Sequence, residues 1–226
     1  MLRTFRAALV SGALITATQA AAQEPPIITL RPADPDRWDV AAHVGWLGGN
    51  KSEIAPDWND WYDTASFDVS AGYYWTPHLK VEVDVSTAAE AGVFSEQFVQ
   101  LPGSPFPYVR SREHRFRTTG AAAGATYQFF ENVWFHPFIG GGLAVVHETE
   151  RTRASQPFFF RDPQTGVVLP EQPPIDKQST TARPLAMLGF KAYVSEWAFV
   201  RTDLRVTAST DRVETVVWRG GVGFDF

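Results

Sequence analysis

The sequence predicts an all-β protein, an eight-stranded antiparallel up-and-down transmembrane β-barrel, and three observations point to it. Apolar and polar residues alternate with period two through most of the chain after residue 37. Aromatic residues of the apolar face gather beside short turns and again toward the far strand ends. Charged residues occupy the opposite face, so one face suits lipid and the other an interior. The last strand shows the pattern plainly: Val216, Trp218, Gly220, Val222, Phe224 and Phe226 share one face, and Arg219, Gly221, Gly223 and Asp225 the other.

Before the alternation begins, Arg3 and Arg6 precede a short apolar stretch, Ala7 to Ala17, and Ala20-Ala21-Ala22 supplies small residues ahead of Gln23. That order predicts a cleaved secretory signal over residues 1–22. Residues 23–36, with Pro25, Pro26, Pro32 and Pro35, read as an extended periplasmic lead-in. The chain has no cysteine, which removes disulfides, thiol chemistry and cysteine metal ligation. Lys and Arg number 20 against 25 Asp and Glu, and two of those bases lie in the signal, so nucleic acid is not an expected partner. No later stretch approaches the ~20 consecutive apolar residues of a membrane helix. Membrane crossing therefore requires a closed barrel.

The strands follow in order. The first places Trp38, Val40, Ala42, Val44 and Trp46 opposite Asp39, Ala41, His43 and Gly45. The second places Ala65, Phe67, Val69, Ala71, Tyr73 and Trp75 opposite Ser66, Asp68, Ser70 and Gly72, and Thr76-Pro77-His78 turns the chain. In the third, Leu79, Val81, Val83 and Val85 face out, and Lys80, Glu82, Asp84 and Ser86 face in. The fourth runs from about Arg112 to Phe130, with Tyr127 and Phe129 outward; its centre, 120–125, is all small residues and specifies facing weakly. After a turn at Glu131-Asn132 the fifth starts near Val133, with Ile139, Leu143 and Val145 outward. A long Pro-rich loop, about 153–178, contains Phe158-Phe159-Phe160. The sixth strand sets Ala186, Leu188, Phe190 and Ala192 against Met187, Gly189, Lys191 and Tyr193. The seventh sets Val200, Thr202, Leu204 and Val206 against Arg201, Asp203 and Arg205, and the eighth closes the chain. Residues 37–226 thus form one barrel domain. Short turns near 77, 131 and 195 lie on one side; on the other the first three loops are longer and the fourth, Ser209 to Arg212, is short, which puts both termini in the periplasm.

Trp38, Trp75, Tyr127, Trp134, Trp197 and Phe226 flank the short turns, and Trp46 and Trp218 fall toward the opposite strand ends. Trp38 and Trp46 stand roughly 26 Å apart along a strand, or roughly 20 Å once a ~40° tilt is applied. Two membrane-interface girdles fit the ~25 Å apolar band of such barrels. A soluble sandwich or lipocalin-like barrel would turn the aromatics inward, and burying both faces here is costly.

The inward set is Asp39, Asp68, Glu82, Asp84, Asp203 and Asp225 against Lys80, Lys191, Arg201, Arg205 and Arg219, with His43 beside them. A selective pore is lined predominantly by one sign of charge. This set is nearly balanced, and an eight-stranded interior is just wide enough for side chains to fill. A closed lumen with paired charges is expected, in which strands seven and six supply the bases for Glu82 and Asp84. Gly140, Gly142, Gly189, Gly221 and Gly223 either leave lumen space or allow close packing.

On the signal, strand count, turn asymmetry and terminal Phe226, residues 37–226 resemble the small eight-stranded bacterial outer-membrane barrel family. That group includes the transmembrane domain of outer membrane protein A, outer membrane protein X and the opacity-type proteins. The resemblance implies residence in a Gram-negative outer membrane, with outer-membrane lipid and lipopolysaccharide as partners. It also implies that the barrel-assembly machinery reads the C-terminal strand, with Phe226 as the assembly signal. A monomer without cofactor or metal is expected. No peptidoglycan-binding domain follows the eighth strand, so the cell-wall role of outer membrane protein A is not implied.

Three functions compete. The favoured one is a non-enzymatic structural or surface-interaction barrel acting through its extracellular loops; the sequence does not name a ligand. Its third to fifth strands outrun the ~9–11 residues a membrane strand needs. Ala89 to Gln100, Arg112 to Arg117 and His147 to Arg153 then project as a sheet carrying Phe94 and Phe98, beside loops with Phe106, Tyr108 and Phe158 to Phe160. Arg110, Arg112, Arg115 and Arg117 are candidates for lipopolysaccharide phosphates. The second is a small porin-like channel. The third is a lipid A-modifying enzyme, since deacylases of this architecture use His and Ser two residues apart. None of His43, His78, His114, His136 and His147 is followed by Ser at that spacing; after His147 the position holds Thr149. No catalytic residue is therefore expected.

Overall fold

Strict alternation leaves each strand with one face for lipid and one for the interior, and the sheet satisfies both by closing on itself. The computed structural model describes residues 38–51, 61–100, 107–130, 134–154, 166 and 173–226. The expected signal and lead-in, the Glu131-Asn132 turn, Phe106 and Phe158 to Phe160 lie outside these residues, as do the side chains of Tyr108 and Arg110. The described strands are β1 (Trp38–Asn50), β2 (Trp61–Tyr74), β3 (Leu79–Ala88), β4 (Ala91–Val99), β5 (Tyr108–Gln128), β6 (Phe135–Ala154), β7 (Ile175–Tyr193), β8 (Ala198–Ala208) and β9 (Val213–Asp225).

Neighbours pair antiparallel in the order β3-β2-β1-β9-β8-β7-β6-β5, and a β3–β5 pairing closes the ring. The barrel therefore has eight staves. β4 is not a ninth: it continues β3 against the far half of β5, pairing Ala91 with Phe116 through Val99 with Tyr108. Between the pairs Thr87–Thr119 and Ala91–Phe116 the β3/β4 side carries one residue more than β5, a bulge that interrupts one long stave. A second bulge lies in β9, where Thr207 pairs Thr215 but Ala208 pairs Val213, leaving Glu214 as the extra residue.

Three expected boundaries move. β5 starts at Tyr108 rather than near Arg112, β6 at Phe135 rather than near Val133, and β7 at Ile175, inside the range read as loop. β5 and β7 gain residues at the loop rim because β6 between them is equally long: β6 pairs β5 as far as Arg112–Ala154 and β7 as far as Thr152–Ile175. The β3/β4, β5 and β6 staves thus rise together at one rim, here the loop rim. At the other, the turn rim, tight turns follow Trp75 and Val194. The first and last staves meet there, Trp38 and Phe226 exchanging two backbone hydrogen bonds of 2.9 Å.

The facing is as the alternation predicts. β1 alternates exposed and buried from Trp38 to His43, and β2 and β3 repeat the pattern. Val44, Phe67, Val69, Val85, Ile139, Leu143 and Val222 are exposed on the outer surface, and so are Trp38, Trp46, Trp75, Tyr127, Trp134, Trp197, Trp218 and Phe226. An outer surface this apolar requires a non-aqueous surround.

Candidate functional site

All of Asp39, His43, Asp68, Lys80, Glu82, Asp84, Lys191, Arg201, Asp203, Arg205, Arg219 and Asp225 are buried inside the barrel. Near the turn rim, Lys191 on β7 donates to Asp225 at 2.6 Å, to the Tyr74 hydroxyl at 2.8 Å and to Asp39 at 3.4 Å. Lys80 donates to Asp39 at 3.0 Å, and Tyr74 donates to the same carboxylate at 3.1 Å. Gln128 in turn donates to the Tyr74 oxygen at 3.2 Å, and Tyr193 donates to Asp225. The Lys191 ammonium also lies 3.8 Å from the centre of the Phe199 ring.

The middle of the lumen is built around two carboxylates. Glu82 on β3 accepts from Arg205 at 2.8 Å and from Arg201, with Lys80 at 2.5 Å and Arg219 at 3.5 Å. Asp203 on β8 accepts from Arg219 at 2.7 Å and Arg205 at 3.3 Å, with Arg201 at 2.9 Å. Arg205 also reaches Asp84 at 2.6 Å, and Arg219 bonds Asp68. His43 Nδ1 stands 2.8 Å from Asp68, close but outside hydrogen-bonding geometry. Removing one member of such a set strands a desolvated charge, which is far costlier than losing a surface pair.

This arrangement corrects one expected pairing. Lys191 does not serve Glu82 or Asp84; it sits nearer the turn rim with Asp39 and Asp225, and the partners of Glu82 come from β8, β9 and its own strand. The inward glycines are also filled rather than open. A Cβ on Gly223 would lie 2.3 Å from the Phe199 ring, and one on Gly221 2.5 Å from the His43 ring.

Above the charges lies an apolar layer of Leu47, Tyr62, Ala88, Val93 and Phe116. Lys51 caps it, 4.3 Å above the Phe116 ring and 2.5 Å from Glu148. Over this layer opens a cavity of about 630 Å³ at the loop rim, lined among others by Lys51, Glu148, Glu150, Arg183, Arg212 and Glu214. Glu214 faces inward only because of the β9 bulge, and Arg212 donates to it at 2.9 Å. Tyr74, Gln128, Tyr62, Phe116 and Glu214 were not singled out from sequence. Inward parity was sufficient signal for the first four, whereas the bulge hides the fifth.

Of the arginines read as one phosphate-binding group, Arg112, Arg115 and Arg117 fall on two faces. Arg115 and Arg117 are exposed, while Arg112 shares the parity of buried His114 and Phe116. The outward companions of Arg115 and Arg117 are Arg151 and Arg153 on β6, with Arg115 directly opposite Arg151. Glu113 and Glu90 pair with Arg115 at 2.9 and 3.3 Å. Among the described residues, no group of three or more His, Cys, Asp or Glu is placed to hold a metal ion.

A closed antiparallel barrel of eight staves with an apolar outer surface and an ionic interior is the fold of the small outer-membrane barrels. Its overlap with solved structures agrees. The N-terminal β-barrel domain of Pseudomonas aeruginosa OprF matches with a TM-score of 0.50 at 14% identity, over 84% of this chain and 98% of that one. Neisserial surface protein A matches with a TM-score of 0.50 at 16% identity, over 84% and 97%. The Yersinia pestis attachment invasion locus protein Ail overlaps with a TM-score of 0.48 at 11% identity, over 83% and 98%. No protein-family model and no curated protein matches the chain.

Proposed function

We propose that this protein is a non-conducting barrel of the bacterial outer membrane, with both termini periplasmic, that presents its tall β3/β4–β5–β6 sheet to the cell exterior for surface interaction. The observation that carries the reading is the ionic contact across the lumen, from Arg201 and Arg205 on β8 to Glu82 and Asp84 on β3. Charges that satisfy one another across the bore leave no lining of one sign to select an ion. The barrel needs no cofactor and is stable as a monomer. Lipopolysaccharide phosphates are its lipid partner. In support of that, Arg115 and Arg117 on β5 and Arg151 and Arg153 on β6 share the outer face, and one like-charged pair, Arg115 and Arg151, is directly opposed, which favours an anion between them.

Single-channel recording of the refolded protein in planar bilayers, beside a heat-modifiability gel, tests the reading. A compact band without conductance is expected. A compact band with steady, ion-selective steps would overturn the closed lumen and favour the porin-like alternative.

A further inference from the structure

Where β4, β5 and β6 run side by side above the apolar layer, three inward side chains form a hydrogen-bonded chain. Ser95 Oγ lies 2.8 Å from His114 Nε2, and His114 Nδ1 lies 2.8 Å from Glu150 Oε1. Strand register produces the contact. Val93 opposes His114 and Ser95 opposes Arg112, so Ser95 and His114 are diagonal neighbours on one face. Across the next seam Phe116 opposes Glu150 and His114 opposes Thr152. Thr152 donates its hydroxyl to the same Glu150 oxygen at 3.2 Å, and the imidazole stacks on Phe116 at 6.5 Å and 9°. In the neutral tautomer whose Nδ1–H donates to the carboxylate, the Nε2 lone pair faces the Ser95 hydroxyl, and the Thr152 hydroxyl also lies 3.2 Å from Nδ1. The order is nucleophile, base and orienting acid, each within the 2.6–3.2 Å reach such a unit needs.

From this geometry we propose that Ser95, His114 and Glu150 form a nucleophilic triad that hydrolyses small carboxylic esters at the loop rim. The proposal goes beyond the surface-interaction role and departs from the sequence expectation of no catalysis. Glu150 lines the cavity of about 630 Å³ that opens at the rim, while Ser95 and His114 stand outside its lining. Arg112, cross-strand from Ser95 on the same face, is the cationic group nearest in register to a developing oxyanion.

In the first half-reaction Ser95 Oγ bonds to the ester carbonyl carbon and its proton passes to His114 Nε2. The carbon–oxygen bond to the alcohol then breaks, and His114 returns the proton to the leaving alkoxide. In the second, water adds to the acyl-serine, giving its proton to His114. The Ser95 Oγ–carbon bond breaks, Oγ recovers that proton, and a carboxylic acid is released. Glu150 stays ionised and stabilises the imidazolium. Nothing is oxidised or reduced.

The experiment treats refolded, heat-modifiable protein with a small alkyl fluorophosphonate and maps the adduct by peptide mass spectrometry. Labelling at Ser95 is expected. It should fall about 100-fold or more in His114→Asn. Hydrolysis of p-nitrophenyl acetate should follow the same order and vanish in Ser95→Ala. A folded wild type that takes up no label at Ser95, or labelling unaffected by His114→Asn, overturns the triad. Should Ser95→Ala fail to fold, the site of the wild-type adduct still decides. Channel recording is independent of all these outcomes, so failure here leaves the closed-lumen reading standing.

Discussion

Arg205 on β8 donates to Asp84 on β3 at 2.6 Å, and these two strands stand diametrically opposite in the eight-stave ring. One side chain therefore crosses the bore. The same guanidinium also reaches Glu82 at 2.8 Å and Asp203 at 3.3 Å, so it ties the far wall to its own. The lumen is best described as an ionic core, in which the interior width of an eight-stranded barrel is matched to the length of arginine.

Loss of Asp203 should be costly. The residue stands against Arg201, Arg205 and Arg219, and Asp203→Ala would leave three guanidinium groups short of an acceptor without admitting bulk water. Breaking a buried pair from one side costs about 3–5 kcal/mol. Urea unfolding in lipid vesicles should show a loss of that order with conductance still absent. A hydrated pore would respond the other way, changing conductance with little loss of stability.

The glycines on the inner face make a separate test of packing. Gly223 lies under the Phe199 ring, where a Cβ would sit 2.3 Å from ring carbon and 2.5 Å from the Val40 carbonyl oxygen. Gly223→Ala is expected to destabilise the barrel by about 1–3 kcal/mol through overpacking. Were the glycine lining open space, the same change would be silent in the unfolding midpoint.

Period-two alternation was enough to read the barrel, because a closed sheet imposes it on every stave and nothing else in the chain competes. The twelve inward polar residues followed from parity alone, Asp39 and Asp225 as much as Arg201 and Asp203. Their partners did not, since pairing across a bore depends on the ring order and on side-chain reach. Lys191 was assigned to the wrong carboxylates for that reason. Bulges defeat parity outright: Glu214 shares sequence parity with Val216 and Trp218, yet the extra residue in β9 turns it inward. A His and Ser two residues apart on one strand are visible in sequence, whereas the Ser95–His114 contact is not. These two belong to different strands, and only the register of β4 on β5 brings them together.

The outer face should tolerate charge poorly where the inner face requires it. Val222 is 57% exposed, midway along β9 between the girdle residues Trp218 and Phe226. Arg219, on the opposite face of the same strand, is 1% exposed and bonded to Asp68 and Asp203. Val222→Arg puts a guanidinium against hydrocarbon at mid-depth, at a cost of about 2–4 kcal/mol. Equilibrium unfolding from phospholipid vesicles measures it. A soluble protein with this fold would accept the same substitution at little cost, so the measurement also tests the membrane assignment.

Phe226 closes the β1–β9 seam, and the assembly role proposed for it is separable from that contact. Its backbone exchanges 2.9 Å hydrogen bonds with Trp38, the last rung of the β1–β9 seam, while its side chain stands 68% exposed on the outer face. Removing the residue deletes two peripheral backbone hydrogen bonds, each of which contributes only about 0.5–1.5 kcal/mol net. The interior charges and the rest of the seam are untouched. The truncated chain should therefore still refold in detergent micelles to a heat-modifiable form, with a modest drop in its unfolding midpoint. The proposed role as an assembly signal predicts a larger effect in cells: the folded fraction in the outer membrane should fall far more than that stability change explains. The comparison is between heat-modifiable protein in outer-membrane fractions and the same chain refolded in micelles. An equal, small loss in both would confine Phe226 to a structural role; normal assembly in cells would remove it as an assembly signal.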